Sequence, residues 1–582
     1  MQLTDHPLVR AALLSLAGLA LLVGCGTAPV AATPPPKLLV FMVVDGLPMR
    51  QVTGYRDQLA PDGFKRFLDR GAWFADAHYG HGHTVTAAGH AVMLTGAYPH
   101  RTGIISNEWR NPNTGAPVYC TGDEAHQYLE NKTAPLAGTS PRNLRAETVG
   151  DVLRGARPGA KVIAISGKDR GAILPAGKLG TAYMYMGESG QFASSSYYMP
   201  AHPQWVKTFN AAKPADAYFK QSWTALLPEA AYTRSVPDGK AWQVNSGNGN
   251  RLPALIGDKN EKPGPLFYGN LLATPFADEL TLAFARAAIE GEALGQDDTP
   301  DILSISLSSH DYVNHAFGPE SRLSHDHMLR LDQHLQAFFR YLDAKVGAGN
   351  YVAVLTADHG FVDTPEWSSS QGLDAGRLNP SQTLAWLNTG LAQKFGEGKW
   401  ALGWSGGGVL LDSKLIAAKK LDPAAVDKEA KTLLLQVDGI ADVFTREQLL
   451  SAPKPAASRQ APQGGQASSG AAQRLLESQD VSTPHLAAMR KSWHPDIASS
   501  LQVVVKPNWL ISSRVGGSSH GTPHAYDTHV PILSYGPRWI GQGQVNTRVE
   551  VADIAPTLSR LLGLRVPAQS EGRPLPLPAT AR

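Results

Sequence analysis

One local arrangement recurs along the chain: a short, almost wholly apolar run followed directly by a cluster of polar residues. It occurs at residues 37–46, 160–170, 301–315 and 350–360, and in a looser form at 520–536. Runs of this length are typical of strands buried on both faces, as in parallel sheets. Stretches with helical spacing separate several of the runs. Alternating strands and helices predict an α/β fold with a mostly parallel central sheet flanked by helices.

Two of the intervening stretches carry clear helix signals. Thr274 suits an N-cap and Pro275 the first position of one helix, and a second helix is predicted within residues 323–347. Six apolar residues share one face of the second helix: Leu331, Leu335, Phe338, Phe339, Leu342 and Val346. Three histidines on its opposite face are predicted to be solvated: His325, His327 and His334.

Two regions interrupt the alternation of strands and helices. Residues 178–270 are rich in Tyr, Trp, Ser, Pro and Gly, and residues 365–500 combine helical pieces with a strand signal at 404–412 and a low-complexity segment at 453–473. Both regions are predicted to be insertions in one catalytic domain over residues 37–582, with the first forming a cap beside the site.

The N-terminus predicts a lipoprotein-type signal peptide over residues 1–24. Its apolar run at residues 11–23 is shorter than the ~20 residues that a membrane span needs. The run ends in Leu-Val-Gly-Cys, which resembles a bacterial lipobox and implies lipidation of Cys25, followed by a tether over residues 25–36. Gly26 resembles the sorting residue of outer-membrane lipoproteins. A plain secretory signal is the alternative, and either leads to an exported protein.

Charge and composition narrow the partner classes. Lys and Arg number 53 against 50 Asp and Glu, a net charge of +3, so no nucleic-acid partner is expected. The hydrophobic share of 43% suffices for a large core. We expect a monomer that acts on small molecules and meets the membrane only through its lipid.

Polar residues with metal-ligand chemistry follow the predicted strands. They are three carboxylates and three imidazoles: Asp45, Asp311, His315, Asp358, His359 and His520. Each has an ordinary explanation when taken singly, as a turn aspartate or a structural histidine. As a set, mixed nitrogen and oxygen ligands suit two zinc ions better than manganese or iron.

A hydroxyl stands at the predicted start of a short helix, within residues 83–109. Thr86 is suited to be an N-cap there, or to be a nucleophile if a base or a metal activates it. The amides of a helix N-terminus also favour a phosphate. Thr84 is the alternative position, since helix boundaries read from sequence are uncertain by a few residues.

The ordered motifs resemble a known family. VVDG, a threonine four residues before His90, TGAYPHRTGIISN, D-x-x-x-H at Asp311 and His315, ADHG, and HGTP followed by YDTHVPI resemble the alkaline phosphatase superfamily, in its nucleotide pyrophosphatase-related branch. Lys168 and Arg170 form a K-x-R pair similar to that of the phosphate-irrepressible alkaline phosphatases of Bacteroidetes and sphingomonads.

The resemblance implies a role for each matching residue. It implies one zinc ion held by Asp311, His315 and His520. It implies a second zinc ion held by Asp45, Asp358 and His359, with the Thr86 oxygen facing it. Thr86 would attack phosphorus to form a phosphothreonine, and the groups binding the non-bridging oxygens would be Asn107, Lys168 and Arg170. The implied activity is zinc-dependent hydrolysis of phosphate monoesters by two-metal, in-line displacement.

The same residues leave three alternatives. A phosphodiesterase or nucleotide pyrophosphatase shares the metals and the threonine, so only the Lys168–Arg170 pair and the cap discriminate. In an extended chain both side chains of the pair would lie on one face. A sulfatase would need a different motif from the one around Cys120. A non-enzymatic, metal-binding envelope lipoprotein would have no need of Thr86, because closed structural zinc sites use Cys and His ligands and leave no open position.

Overall fold

A computed structural model describes residues 33–451 and 484–580. The predicted signal peptide, the lipidation site Cys25, most of the tether and the low-complexity segment 453–473 lie outside these residues. Within them, no helix combines the length and the apolarity needed to cross a bilayer.

The strands of the described residues are, in chain order, β1 (Leu38–Val44), β2 (Ala72–Phe74), β3 (Ala77–His78), β4 (Glu108–Arg110), β5 (Pro117–Tyr119), β6 (Val162–Ser166), β7 (Thr181–Met186), β8 (Gln191–Ala193), β9 (Ser222–Trp223), β10 (Ala254–Leu255), β11 (Asp301–Leu307), β12 (Tyr351–Thr356), β13 (Gly376–Leu378), β14 (Ala401–Ser405), β15 (Gly408–Leu411), β16 (Ile440–Thr445), β17 (Leu501–Val505), β18 (Trp509–Ile511), β19 (Ile532–Tyr535), β20 (Gly543–Val545) and β21 (Val549–Glu550).

The α-helices of the same residues are α1 (Met49–Gly54), α2 (Phe64–Arg70), α3 (Thr86–Thr95), α4 (Pro99–Thr102), α5 (Val149–Ala156), α6 (Asp169–Ala176), α7 (Gln204–Ala211), α8 (Pro265–Leu271), α9 (Pro275–Gly291), α10 (Ser309–Phe317), α11 (Arg322–Leu342), α12 (Pro365–Ser370), α13 (Pro380–Phe395), α14 (Ser413–Ala418), α15 (Pro423–Leu434), α16 (Arg446–Leu450), α17 (Leu486–Ser492), α18 (Ala525–Thr528) and α19 (Ile554–Leu561).

The central sheet has nine strands in the order β20-β2-β19-β12-β1-β11-β6-β7-β8. The five strands from β12 to β7 pair in parallel, while β19 and β8 run antiparallel to their neighbours. All residues of β1, β11 and β12 are buried, as strands covered on both faces require. The prediction of an α/β fold with a mostly parallel sheet is confirmed.

Helices α9 and α11 cover this sheet and begin where the sequence indicated. The side chain of Thr274 accepts a hydrogen bond from the amide of Phe276, so Thr274 is the N-cap and Pro275 opens α9. The six apolar residues predicted to share one helix face are all buried; five lie in α11, and Val346 lies in the single helical turn that follows it, Asp343–Gly347.

The central parallel strands end together at one edge of the sheet. The last residues of β1, β11, β12 and β6 are Val44, Leu307, Thr356 and Ser166. Residues that follow parallel neighbouring strands meet at this edge, which is where open α/β sheets bind ligands. The polar clusters that follow the apolar runs are therefore brought to one place.

The first interrupting region differs from the single insertion expected over residues 178–270. Its opening part is β7 and β8, which extend the central sheet beside β6. The remainder forms short helices, turns and the two-stranded pair of β9 and β10, and it contacts α10 where the amide of Val244 donates to the carbonyl oxygen of Ala316 at 2.8 Å.

The second region has a sheet of its own, in the order β14-β15-β17-β16, and its own apolar core. Two strands of this region, β17 and β18, lie beyond residue 500, so the region continues past the expected end of the insertion. The strand expected at residues 404–412 is a hairpin instead. Gly406 and Gly407 have φ values of 52° and 77°, and positive φ at both turn positions is what a two-residue type I′ turn requires.

Candidate metal centre and active site

A first group of ligands combines α10 with the loop before α18. Asp311 and His315 stand four residues apart in α10, so their side chains lie on one helix face, and His520 joins them with all ligand atoms within 4.8 Å of one another. Nδ1 of His315 and Nδ1 of His520 each donate to a carbonyl oxygen at 2.9 Å, of Ser518 and Thr84 respectively. Nε2 of each ring is thereby left to bind a cation.

A second group follows β1 and β12 directly. Asp45, Asp358 and His359 also bring their ligand atoms within 4.8 Å of one another, and all three are fully buried. The amide of Gly46 donates to Asp358 Oδ1 at 3.0 Å, and His359 Nδ1 donates to the carbonyl oxygen of Gly360 at 2.9 Å. His359 Nε2 lies 3.6 Å from Asp45 Oδ1 and 3.4 Å from Asp358 Oδ2.

Several atoms of both groups are buried without any hydrogen-bond partner among the described residues. They are Asp45 Oδ1, Asp311 Oδ1, Asp358 Oδ2 and His359 Nε2. A buried polar atom left unpaired costs about 1–3 kcal/mol, so such a concentration needs an explanation. Carboxylate oxygens and imidazole nitrogens are also the donors that divalent cations such as zinc use. The residues present fit two divalent cations, one at each group.

The electrostatics of the centre agree with this fit. Burial, and then the charge of a neighbouring carboxylate, raise the pKa of Asp45 well above its ordinary value. Burial lowers the pKa of His359 and, more strongly, that of His520, which keeps both rings in the neutral form that binds metals. Lys168 Nζ lies 2.7 Å from Asp45 Oδ2 and 2.6 Å from Asp311 Oδ2. One ammonium against three carboxylates leaves the centre short of positive charge.

Helix α3 places Thr86 beside the second group. Thr86 is the first residue of the helix and Val85 is its N-cap, so the helix predicted to start near Thr86 does so. A Cβ atom on Gly89 would lie 2.1 Å from the carbonyl oxygen of Asp358, so α3 packs directly on the backbone of this metal-ligating residue. His90 Nδ1 lies 2.9 Å from the carbonyl oxygen of Thr86 and 3.4 Å from Asp358 Oδ2.

The two candidate threonines have different surroundings. The hydroxyl of Thr84 donates to the carbonyl oxygen of Thr522 at 2.9 Å and is used in holding that loop. The hydroxyl of Thr86 makes no hydrogen bond to any described residue. Asn107 lies next to it, because Asn107 Oδ1 accepts the amide of Ala87 at 2.8 Å. The amide nitrogen of the Asn107 side chain remains available to another acceptor.

Lys168 and Arg170 do not share one extended segment. Lys168 has extended backbone, but α6 begins at Asp169, so Arg170 lies in the first turn of a helix. Lys168 reaches the carboxylates of the centre. Arg170 Nη1 donates to the hydroxyl of Tyr119 at 3.2 Å, and that hydroxyl donates to Asp169 Oδ1 at 2.5 Å.

The sequence matches a family model over most of its length. The model of type I phosphodiesterase / nucleotide pyrophosphatase matches residues 39–527, a span that contains both ligand groups and Thr86. The chain belongs to that family. The likeness of its ordered motifs to the alkaline phosphatase superfamily is thereby confirmed.

Named relatives in the family cover nearly the whole chain. Alkaline phosphatase PafA of Elizabethkingia meningoseptica is 33% identical over 549 residues, which are 94% of this chain and 94% of the relative. A Myroides odoratus protein named calcium-transporting ATPase is 32% identical, over 93% of this chain and 94% of its own. Alkaline phosphatase PhoV of Synechococcus elongatus is 33% identical, over 92% of each.

Solved structures of one relative share the fold. Wild-type PafA matches with a TM-score of 0.84 at 32% identity, over 94% of this chain and 99% of the relative. A second structure with the same match is a PafA mutant in which four residues are replaced. They are a threonine, the asparagine 21 positions after it, and a lysine and an arginine two positions apart.

Several residues that shape the centre were not singled out from the family's motifs. Tyr119 contacts Arg170, and the ring of Tyr312 lies 5.0 Å from Lys168 Nζ. Asp527 is fully buried and accepts three hydrogen bonds in the loop that carries His520. The available signals were weak: Tyr312 follows a ligand directly, and Asp527 stands in the YD-x-x-VPI motif.

The prediction that the histidines of α11 are solvated is wrong for two of them. His325 and His327 are fully buried. His325 stacks on Tyr55 with ring centroids 3.6 Å apart, and His327 Nδ1 lies 3.1 Å from His310 Nδ1. Residues near 223–232 cover this face of the helix, which makes α11 buried on both sides although its pattern is that of a one-sided surface helix.

Proposed function

We propose that this chain hydrolyses phosphate monoesters with Thr86 as nucleophile and two zinc ions as cofactors. One observation carries the proposal: the hydroxyl of Thr86, which bonds to no described residue, stands at the N-terminus of α3, and α3 packs on the backbone of Asp358 in a centre with unpaired, buried ligand atoms. Relatives that match nearly the whole chain and are named alkaline phosphatases support it.

Two sets of residues would hold the cations. One set is Asp311, His315 and His520, and the other is Asp45, Asp358 and His359. When bound, the cations supply Lewis-acid stabilisation of the charge on hydroxyl and phosphate oxygens. The zinc assignment is supported by the equal share of imidazole and carboxylate ligands.

The side chains of the centre account for the two steps of the reaction. Thr86 Oγ1 attacks phosphorus, the bond to the leaving oxygen breaks, and a phosphothreonine forms with release of the alcohol. Water then attacks the same phosphorus and the bond to Thr86 breaks, which returns the hydroxyl and releases phosphate. The Asn107 side-chain amide and the first amides of α3, other than the Ala87 amide that already donates to Asn107 Oδ1, donate to the non-bridging oxygens during both steps.

Lys168 and Arg170 support the choice of a monoester. A monoester dianion has an additional charged oxygen, where a diester has a substituent. The four residues replaced in the PafA mutant have the spacing of Thr86, Asn107, Lys168 and Arg170 here, with 21 positions between the first two and two between the last two. This correspondence also supports Thr86 over Thr84.

A phosphodiesterase or nucleotide pyrophosphatase is the second candidate. The description of the family model favours it, since that description names both activities. The ligand groups and Thr86 serve either reaction equally well. The two candidates differ in what Lys168 and Arg170 contact in the bound substrate.

The test combines metal analysis with a substrate comparison on the purified protein. We expect two zinc ions per chain, and a kcat/KM on an aryl phosphate monoester at least about a hundredfold above that on the matching diester, the scale of two charge-assisted contacts. Comparable values on the two substrates would favour the second candidate. Full activity after exhaustive removal of metal would contradict both candidates.

We also propose export, lipid anchoring at Cys25 of the outer-membrane type, and a monomeric body. The support is the apolar run at residues 11–23 that ends in a lipobox-like sequence. Membrane-fraction recovery of wild type and Cys25→Ser tests the anchor, and light scattering of the detergent-free C25S protein tests the monomer. Equal release of both forms without detergent would contradict the anchor.

A further inference from the structure

We propose that Asp527 is a positioning residue that fixes His520 in the centre, and this inference rests on the two-cation centre of the proposed function. Asp527 binds no cation and contacts no substrate in this proposal. It acts by holding the loop of residues 520–522, and so decides whether the first ligand group is complete.

Three donors of that loop converge on one oxygen of Asp527. Asp527 Oδ2 accepts the amide of Gly521 at 3.0 Å, the amide of Thr522 at 2.9 Å and the hydroxyl of Thr522 at 2.6 Å. The carboxyl group is fully buried, so no water competes for these donors. Removal of the acceptor would leave these three donors without a partner, two of them on the buried residue Thr522.

The opposite side of the loop is tied to the strand that leads into α3. Thr84 donates its hydroxyl to the carbonyl oxygen of Thr522 at 2.9 Å, and Thr84 accepts at its own carbonyl oxygen the Nδ1–H of His520, also at 2.9 Å. The loop is therefore held between Asp527 and Thr84. Because the bond from Nδ1 orients the imidazole, a shift of the loop turns Nε2 of His520 away from Asp311 and His315.

Asp527 also connects to the second ligand group through its backbone. The amide of Gly360 donates to the carbonyl oxygen of Asp527 at 2.7 Å, and Gly360 in turn accepts Nδ1–H of His359. A Cβ atom on Gly360 would lie 2.1 Å from the carbonyl oxygen of Tyr526, so the two backbones are in direct contact. Residue 527 thus joins the segment of His359 to the segment of His520.

The two oxygens of Asp527 are not equivalent, and this makes the inference testable. Oδ2 accepts all three bonds, whereas Oδ1 is buried without a partner. Asparagine can present its single carbonyl oxygen in the place of Oδ2, so Asp527→Asn keeps the acceptor and removes the charge. Asp527→Ala removes both.

The experiment is a chelator-buffered zinc titration of the full chain, read as zinc bound per chain. We expect Asp527→Ala to weaken one of the two zinc equivalents by roughly tenfold or more, the usual effect of removing a group that orients a ligand. Asp527→Asn should stay within about threefold of wild type. Thr522→Val removes the hydroxyl that donates to Asp527 and accepts the amide of His524 at 3.4 Å, and it should weaken the same zinc equivalent by a smaller factor. It serves as the test if Asp527→Ala does not fold.

The matched control is Asp332→Ala. Asp332 is also buried, and it accepts the backbone amides of Ala60 and Phe64 away from the centre. We expect Asp332→Ala to lower the unfolding temperature while leaving both zinc midpoints unchanged. The inference is overturned if Asp527→Ala behaves like this control, or if Asp527→Asn loses zinc as readily as Asp527→Ala. A wild-type chain that binds two zinc ions without hydrolysing monoesters would contradict the proposed function and leave the inference standing.

Discussion

The imidazole rings of His359 and His520 are stacked, with their centroids 3.3 Å apart and their planes 12° apart. The two residues belong to different ligand groups. Each ring uses Nδ1 to donate to a backbone carbonyl oxygen, so each keeps Nε2 for a ligand. Burial lowers the pKa of both rings, and two neutral rings stack without charge repulsion. The two groups therefore form one continuous centre.

Removal of metal from this centre should destabilise the protein as well as inactivate it. Without bound metal, Lys168 is the one ammonium within ion-pair distance of this centre among the described residues, and it reaches Asp45 and Asp311, so cation binding contributes to the free energy of unfolding. We expect a chelator to lower the unfolding temperature by several degrees and to abolish turnover, and added zinc to restore both. His520→Ala should show a smaller chelator effect. An unfolding temperature that does not respond to the chelator would contradict a cation at either group.

Replacement of Thr86 separates catalysis from metal binding. Thr86→Ala should lower kcat/KM on a monoester by at least about a thousandfold, on the scale of nucleophile removal in other hydrolases, with two zinc ions still bound. Thr84→Val tests the alternative position: it removes the bond to Thr522 that helps to hold the loop of His520, so we expect weaker zinc binding and a turnover that saturating zinc restores, unlike that of Thr86→Ala. Full activity in Thr86→Ala would exclude a phosphothreonine.

Replacement of the two cationic side chains, Lys168 and Arg170, should change the preference for a monoester over a diester more than it changes the overall rate of hydrolysis. In the double variant Lys168→Ala, Arg170→Ala we expect kcat/KM on a monoester to fall at least about a hundredfold further than on a diester, because only the monoester has the additional charged oxygen. Tyr119→Phe removes the hydroxyl that holds Arg170 and should shift the same ratio in the same direction by less. Equal losses on both substrates would assign the pair a structural role.

The strand-end ligands could be predicted from sequence because local rules are sufficient for them. An apolar run that ends in Asp45 or Asp358 marks both a buried strand and its carboxyl edge, and the four-residue spacing of Asp311 and His315 fixes a shared helix face. The burial of His325 could not be predicted, because it depends on a distant segment that covers α11. The role of Asp527 was also out of reach, since its three bonds exist only once the loop of His520 is folded.

The stability of the second sheet region should depend on pH through Asp427. Burial raises the pKa of Asp427 to about 7, from an ordinary value of 3.8. The folded state thus binds this proton more tightly than the unfolded state, so the stability it contributes is full below about pH 4 and is lost as the pH rises through 7. Asp427→Asn should raise the free energy of unfolding relative to wild type at pH 8, by a few kcal/mol at most, and by less at pH 5. An equal difference at both pH values would contradict the buried, protonated carboxyl.

The backbone contact between α3 and Asp358 constrains the position of Thr86, and replacement of Gly89 tests that constraint. A Cβ atom at residue 89 would lie 2.1 Å from the carbonyl oxygen and 2.8 Å from the carbonyl carbon of Asp358, both of which are backbone atoms that cannot rotate away. Gly89→Ala must therefore move α3 away from the backbone of Asp358, at a cost of about 1–3 kcal/mol in the free energy of unfolding.

The separation also moves Thr86 relative to both ligand groups, so Gly89→Ala should lose activity far beyond its loss of stability. The control is Gly155→Ala in α5, where an added Cβ meets nothing within 4 Å. In that helix alanine should be neutral or stabilising by about 0.5–1 kcal/mol, with unchanged turnover. The readouts are the unfolding temperature and kcat on a monoester at saturating zinc. If Gly89→Ala kept wild-type kcat, the position of Thr86 would not depend on the packing of α3 against Asp358.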